Sequence, residues 1–358
     1  MSSAPVHVSP ALHHLFIGTY TKGESRGIYT ATLDSLTGAL SEPTLAAETT
    51  NPSFLAFSPR RDFLYAVAES PALAVGFAIG PDSKLTPLAK TQPAGATAPC
   101  HIAIDATGQS IVVTHYGEGF VASVPIQPGG ALGQPSVIRH HGRGTDPVRQ
   151  STPHTHSVTL SPDNRFALVC DLGLDRVFTY ALDPASARLQ PANPPFTATA
   201  PGAGPRHSAF SPDGRHVYVI NEMGGTLSAY AYDAATGSLS HLGTQPTLPP
   251  DFKELNTTAE VRVHPNGRFV YGSNRGHDSI AIFARDLVTG LLKPVDIVPS
   301  GGKHPRNFSL SPDGGWLVCA NMNSDTLIVF RVDPKTGRLT RVGDPVRAPM
   351  PVCILFQD

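Results

Sequence analysis

The stretch Pro205-Arg206-His207-Ser208-Ala209-Phe210-Ser211-Pro212-Asp213-Gly214-Arg215-His216-Val217-Tyr218-Val219-Ile220-Asn221-Glu222 decides the fold. It reads as strand, tight turn, strand. Ser208 to Phe210 is a short β-prone run, and Ser-Pro-Asp-Gly is a strong turn signal. His216 to Ile220 alternates into a second run rich in β-branched and aromatic residues. The turn reverses the chain, so Arg206 and His207 are expected beside Asn221 and Glu222 at one end of the hairpin. A cation, an imidazole and a carboxylate meet there.

The same pattern returns along the chain. Aligned on Ser211, the copies are centred on Ser58, Asp105, Ser161, Ser211, His264 and Ser311, spaced by 47, 56, 50, 53 and 47 residues. That spacing is the period of a four-stranded propeller blade. Leu227 to Tyr232 supplies a third strand, and Asp233 to Leu239 a hairpin turn into an outer one. The ends complete the count. Leu15 to Tyr20 looks like a second strand and Gly27 to Leu33 a third, while Pro351 to Phe356 has the form of a first strand that then stops. Six whole units and one shared between the termini predict a single all-β, seven-bladed β-propeller over residues 15–358, behind an N-terminal extension of residues 1–14. Closure of the last blade by both termini removes an open sheet edge. A WD40 propeller has the same period, but the chain has one tryptophan, Trp316, and no Trp-Asp pair.

Bulk composition agrees. The 33 glycines and 35 prolines are spread between short apolar runs, as an all-β chain with many turns requires. The net charge of −1 gives no reason to expect nucleic acid or an anionic membrane as partner. No basic leader is visible in Met1 to Pro10, and no run is long enough to span a bilayer. Cys100, Cys170, Cys319 and Cys353 form no CxxC pair and read as reduced thiols, which points to the cytoplasm. Composition says nothing about oligomeric state.

In a propeller the first strand of each blade is innermost, so two sequence columns should line the channel mouth. Five residues before each reference stand Ser53, Cys100, His156, Arg206, Ala259 and Arg306, with Val352 in the closing blade. Eleven after it stand Glu69, Tyr116, Leu172, Glu222, Arg275 and Met322, with Tyr20 in the closing blade. Neighbouring columns add His101, His207, Glu260, Asn307 and Asn274. Arginine offers a planar fork to phosphate or carboxylate, and glutamate or histidine can deprotonate water. A polar rim is also what many propeller mouths show. His154 and His156 have a spacing seen in metal sites, yet no acidic cluster accompanies them and nearby arginines would repel a cation, so neither metal nor cofactor is expected. The basic segment with Arg139, His140, His141, Arg143 and Arg149 should overhang the same rim, as a lid, a phosphate contact or a solvated loop.

Several stretches carry a family likeness: Phe16-Ile17-Gly18-Thr19-Tyr20-Thr21, Arg149-Gln150 with His154-Thr155-His156-Ser157-Val158, and Ser273-Asn274-Arg275-Gly276-His277-Asp278-Ser279-Ile280. Asp171 to Arg176, Val219 to Glu222 and Pro305-Arg306-Asn307-Phe308 belong to the same set. From about Leu15 to the C-terminus the chain resembles the lactonase family of seven-bladed propellers, which includes propeller-type 6-phosphogluconolactonases and 3-carboxy-cis,cis-muconate lactonizing enzymes. The resemblance implies a metal-independent enzyme acting on a lactone ring. It places His156, Arg206, Glu222 and Arg275 on the family's candidate catalytic positions. One position departs from the pattern: Asn307 stands where relatives often have histidine.

The expectation is hydrolysis of a sugar δ-lactone, foremost 6-phosphogluconolactone, at the channel mouth. His156 or Glu222 would activate water, and Arg206 or Arg275 would stabilise the oxyanion. His154, Arg149, His101, His207, Glu260, Asn274, Arg306 and Asn307 would hold a small anionic lactone or carboxylate. Two alternatives stay open on sequence: a muconate-type cycloisomerase using the same groups, and a non-catalytic ligand- or protein-binding propeller.

Overall fold

A computed structural model describes residues 11–68, 73–88 and 98–357. Among them the strands form seven four-stranded antiparallel sheets. Blade 4 has the strands Pro205–Phe210, His216–Asn221, Thr226–Tyr232 and Leu239–Pro246, paired in that order from the channel outward. Blades 1, 2, 3, 5 and 6 repeat it, with first strands at Leu55–Phe57, Pro99–Ile104, Thr155–Leu160, Thr257–Val263 and Pro305–Leu310.

The reference column is one turn built six times. In blade 4 the Gly214 N–H donates to the Ser211 carbonyl at 2.8 Å, and Gly214 has φ +69°, a left-handed conformation that suits glycine. The Ser211 hydroxyl oxygen accepts the His216 N–H at 3.0 Å, tying the second strand to the turn. The same backbone bond joins Arg61, Gly108, Asn164, Gly267 and Gly314 to Ser58, Asp105, Ser161, His264 and Ser311.

The closing blade has the order Pro351–Phe356, Leu12–Thr19, Gly27–Asp34, Thr44–Glu48, so the C-terminal strand is innermost. Leu15 faces Phe356 and Ile17 faces Ile354 across this seam. The N-terminal strand reaches back to Leu12, inside the stretch 1–14 read from sequence as an extension, and residues 1–10 of that stretch lie outside the described residues. Glu69, the blade 1 member of the second rim column, also lies outside them.

Blades pack face to face through the alternate residues of their middle strands. Tyr218, Ile220, Leu227 and Ala229 of blade 4 meet Val261, Val270, Ala281 and Phe283 of blade 5. Each fully buried large apolar side chain of this kind contributes about 1.5–3 kcal/mol. A polar fastener crosses successive seams toward the outer turn of the next blade. The Tyr65, Ser123, Thr179, Tyr218 and Tyr271 hydroxyls and the Trp316 indole donate to the carbonyls of Gly130, Ala187, Gly237, Gly290, Gly337 and Ser35. At the blade 4–5 seam, Arg285 Nε also donates to the Tyr218 hydroxyl at 2.8 Å. Tyr218→Phe strands both partners in a dry seam, which should cost about 1–3 kcal/mol. Urea unfolding checks this, and an unchanged midpoint would remove the fastener from the account of stability.

Candidate active site

The first rim column owes its position to β-bulges. In blade 4 Pro205 pairs with Asn221 and His207 with Ile220, so Arg206 is the extra residue between them. Cys100 in blade 2, His156 in blade 3 and Arg306 in blade 6 occupy the same bulge, and Val352 does so in the closing blade. A bulge breaks the alternation of the strand and re-aims one side chain, and in blades 2, 3 and 6 that side chain lines a shared pocket. Blade 5 stretches the irregularity over both Ala259 and Glu260.

The second column is held by another repeated bond. The N–H groups of Tyr20, Tyr116, Glu222 and Met322 donate to the carbonyls of Met350, Ala98, Gly204 and His304. Each acceptor has positive φ and precedes the proline that opens a first strand. Glu222 is therefore fixed by its own backbone, 2.7 Å from the Gly204 oxygen.

Three guanidinium groups converge on the Glu222 carboxylate. Arg149 Nη2 donates to Oε1 at 2.5 Å, while Arg206 Nε at 3.0 Å and Arg275 Nη2 at 2.7 Å share Oε2. Burial alone would raise the Glu222 carboxyl, but Arg275, Arg206, His156 and the Arg149 hydrogen bond outweigh it and hold it well below the usual carboxylate range. Burial, followed by the charge of neighbouring Arg275 and Arg306, lowers the Arg206 guanidinium to about 9, so it stays charged at neutral pH. Arg149 moves the other way: burial opposes its charge, but the bond to Glu222 prevails. Burial, then Arg206 and His207, push the His156 imidazole well below its ordinary value and leave it neutral.

A pocket of about 260 Å³ opens above this cluster, lined by Tyr20, Ala98, Cys100, Tyr116, Arg149, His156, Glu222, Arg275 and Arg306. The Arg306 guanidinium lies over the Tyr20 ring at 5.4 Å, and Tyr116 stands edge-on to His156 at 5.5 Å. Two buried polar atoms on these residues lack a protein partner, His156 Nδ1 and Arg275 Nε.

The remaining expected site residues sit elsewhere. Arg206 is buried below the pocket floor, with Nη1 bonded to the Ala259 carbonyl at 2.8 Å and to His207 Nε2 at 3.1 Å. Because His207 Nε2 accepts there, its Nδ1 donates to Glu260 Oε1 at 3.3 Å. Asn307 donates to the other Glu260 oxygen and accepts the Ile354 N–H of the closing strand. Together these four residues plug the channel. Below them His101, His207, Glu260 and Arg262 face a second cavity of about 630 Å³, which runs along the first strands to the Ser58-Pro59 turn of blade 1. His101, His207, Glu260 and Asn307, expected from sequence to hold the substrate, do not line the mouth pocket; their side chains belong to the layer beneath it. Asn274 clamps the Thr247 backbone and side chain, away from the pocket. His154 stacks on Tyr116 at 4.4 Å and donates Nδ1–H to the Tyr116 carbonyl, so it buttresses the wall from behind.

Of the basic segment, only Arg149 reaches the pocket. Gln150 pins it there: its Oε1 accepts the N–H groups of Thr145 and Asp146, and its Nε2 donates to the Leu172 carbonyl and Asp175. His140 is buried between Asp171 and Tyr180, and Arg139 pairs with Glu118 outside. Sequence reasoning left Tyr20, Tyr116 and Cys100 out of the candidate set, although all three stand in the two rim columns.

Comparison with known proteins agrees with this architecture. The family model described as a lactonase, 7-bladed beta-propeller, matches residues 14–356. The chain is 36% identical to the 6-phosphogluconolactonase of Bacillus subtilis over 95% of its own length and 97% of the relative's. It is 31% identical to that of Formosa agariphila over 92% and 95%. The solved periplasmic gluconolactonase of Pseudomonas aeruginosa superposes with a TM-score of 0.91 at 33% identity, covering 97% and 99% of the two chains. The bulged rim, the seven blades and these likenesses agree: the chain belongs to the lactonase family of seven-bladed β-propellers.

Proposed function

We propose that the protein hydrolyses 6-phosphogluconolactone to 6-phosphogluconate in the mouth pocket, in the cytoplasm and without a metal. The observation that carries this reading is the pairing of cationic walls, Arg149, Arg275 and Arg306, with two uncommitted polar atoms, His156 Nδ1 and Arg275 Nε. A pocket of about 260 Å³ lies just below the usual range of ligand sites, which suits a ligand no larger than a single sugar ring. The names of the two 6-phosphogluconolactonase relatives point to the same substrate.

His156 is the better base. Glu222 has both oxygens engaged by three arginines, which hold its carboxyl well below the usual carboxylate range, so it binds a proton too weakly to take one from water. His156 is neutral, lines the pocket and has a nitrogen without a partner. It removes a proton from water as the water oxygen attacks the lactone carbonyl carbon. Arg275 Nε–H donates to the carbonyl oxygen as it becomes negative, an interaction worth about 3 kcal/mol in the barrier. Collapse of the tetrahedral intermediate breaks the ring C–O bond. The ring oxygen leaves as an alcohol, taking back the proton from the imidazolium, and the carboxylic acid product ionises in water. Arg206 spends Nε on Glu222 and Nη1 on Ala259 and His207 and does not line the pocket, so it supports the carboxylate from below. The phosphate falls to Arg149 and Arg306.

A neutral gluconolactone is the second reading, favoured by one observation: Glu222 already engages Arg149 and Arg275 and offsets part of the positive charge. Assay of phosphorylated and unphosphorylated gluconolactone side by side, with spontaneous opening subtracted, should give the larger kcat/KM for the phosphorylated one. The reverse order would favour the second reading.

His156→Ala and Arg275→Ala should each lower kcat by about 100-fold or more. Wild-type turnover in His156→Ala would rule out the imidazole as base.

The pH profile carries a sign. The imidazole acts as a base only when unprotonated, and its protonation lies well below the ordinary value of 6.5. Activity should therefore hold through pH 6.5 and fall only under more acid conditions. An acid limb of kcat/KM centred at or above 6.5 would contradict the assignment.

A further inference from the structure

We propose that Arg149 is the residue that selects anionic lactones, and that it does so by exchange: the substrate's anionic group draws its guanidinium away from Glu222. The inference rests on the lactonase reading and adds to it how the anion is recognised. The three arginines on Glu222 are not equivalent. The side chains of Arg206 and Arg275 are 2% and 6% exposed and belong to blade strands, whereas Arg149 is 38% exposed and comes from a loop. Arg206 and Arg275 also hold backbone carbonyls, those of Ala259 and Thr258. Arg149 bonds Glu222 Oε1, an oxygen the other two leave to it, and among the described residues otherwise only the Tyr116 side chain, with no backbone carbonyl to hold.

Its backbone is not free to follow. The Arg149 N–H donates to Asp146 Oδ1 at 2.7 Å, and Gln150 is fully buried with its amide bonded on both sides. Movement is thereby confined to the side chain, which already lines the pocket. Release of Arg149 costs Glu222 one partner of three, so the buried carboxylate is never stripped of countercharge. An incoming phosphate repays the loss with charge-assisted bonds to the same guanidinium.

The exchange also bears on the chemistry. With one fewer guanidinium, Glu222 presents more negative potential to the neighbouring His156 ring. That favours the imidazolium formed when water gives up its proton. Anion binding is thus coupled to base strength, and a lactone lacking the anion meets a site whose base is still muted.

Calorimetric titration with inorganic phosphate tests the exchange without turnover. Arg149→Ala should bind phosphate about tenfold or more weakly than wild type. Glu222→Gln, which removes the competitor and keeps the shape, should bind it more tightly, and the gain should vanish in Glu222→Gln/Arg149→Ala. Equal phosphate affinity in Arg149→Ala and wild type, or equal tightening in the single and double variants, would overturn the proposal. Arg149→Ala changes a half-exposed loop side chain, so that arm does not depend on Glu222→Gln folding. In the kinetic arm, added phosphate should raise wild-type kcat/KM on unphosphorylated gluconolactone by about fivefold or more and leave Arg149→Ala unstimulated. Inhibition of the wild type, or equal stimulation of both, would overturn the coupling to catalysis. Absence of any lactone hydrolysis with the phosphate pattern intact would sink the lactonase reading and support the exchange.

Discussion

A nearly buried carboxylate gripped by three guanidinium groups organises the pocket of this propeller. Glu222 draws together a loop from between blades 2 and 3, a bulge of blade 4 and the end of a strand in blade 5. Without it, Arg149, Arg206, Arg275 and the nearby Arg306 would repel one another in a region of low dielectric, where such terms are large. With it, the cluster keeps an excess of positive charge. The Glu222 backbone is anchored to Gly204, so the anion stands at a fixed point. The pocket is thus an electrostatic object built on a rigid ring.

The ring supplies that rigidity through repetition. The first strands of blades 2 to 6 and of the closing blade carry an irregularity at the mouth end, and in blades 2, 3, 4 and 6 the extra residue is Cys100, His156, Arg206 and Arg306. The scaffold therefore offers a set of inward-aimed positions whose chemistry can differ without altering the sheets. Depth separates their roles. His156 and Arg306 line the pocket, while Arg206 sinks into the plug with His207, Glu260 and Asn307. Asn307 links that plug to Ile354 of the closing strand, so ring closure and the pocket floor are one hydrogen-bonded unit.

Much of this was legible before any coordinates. The even spacing of Ser58, Asp105, Ser161, Ser211, His264 and Ser311 marks six copies of one turn, and the unmatched strands at the two ends imply the seventh blade. The rim columns contained Arg206, Glu222, His156, Arg275 and Arg306, and also Tyr20, Tyr116 and Cys100, which the candidate set passed over. Depth was not legible. A strand alternates with period two, but a bulge resets the alternation, and nothing in a local run of residues says that Arg206 and His207 fall on a plug rather than in a pocket. The loop was likewise placed over the rim, yet the engagement of Arg149 with Glu222 depends on the buried amide of Gln150, whose partners are 4 to 25 residues away. Asn274 differs from its neighbour for a related reason: Arg275 lines the pocket, while the Asn274 amide is bonded to Thr247.

The most direct test of the central claim, that the mouth pocket is where the lactone opens, is a crystal structure with the product 6-phosphogluconate bound. The account predicts the phosphate on Arg149 and Arg306, Arg149 withdrawn from Glu222, and the new carboxylate within hydrogen-bond reach of Arg275 Nε and His156. Product in the lower cavity beside His101 and Arg262, or product in the mouth with its carboxylate remote from both Arg275 and His156, would contradict it.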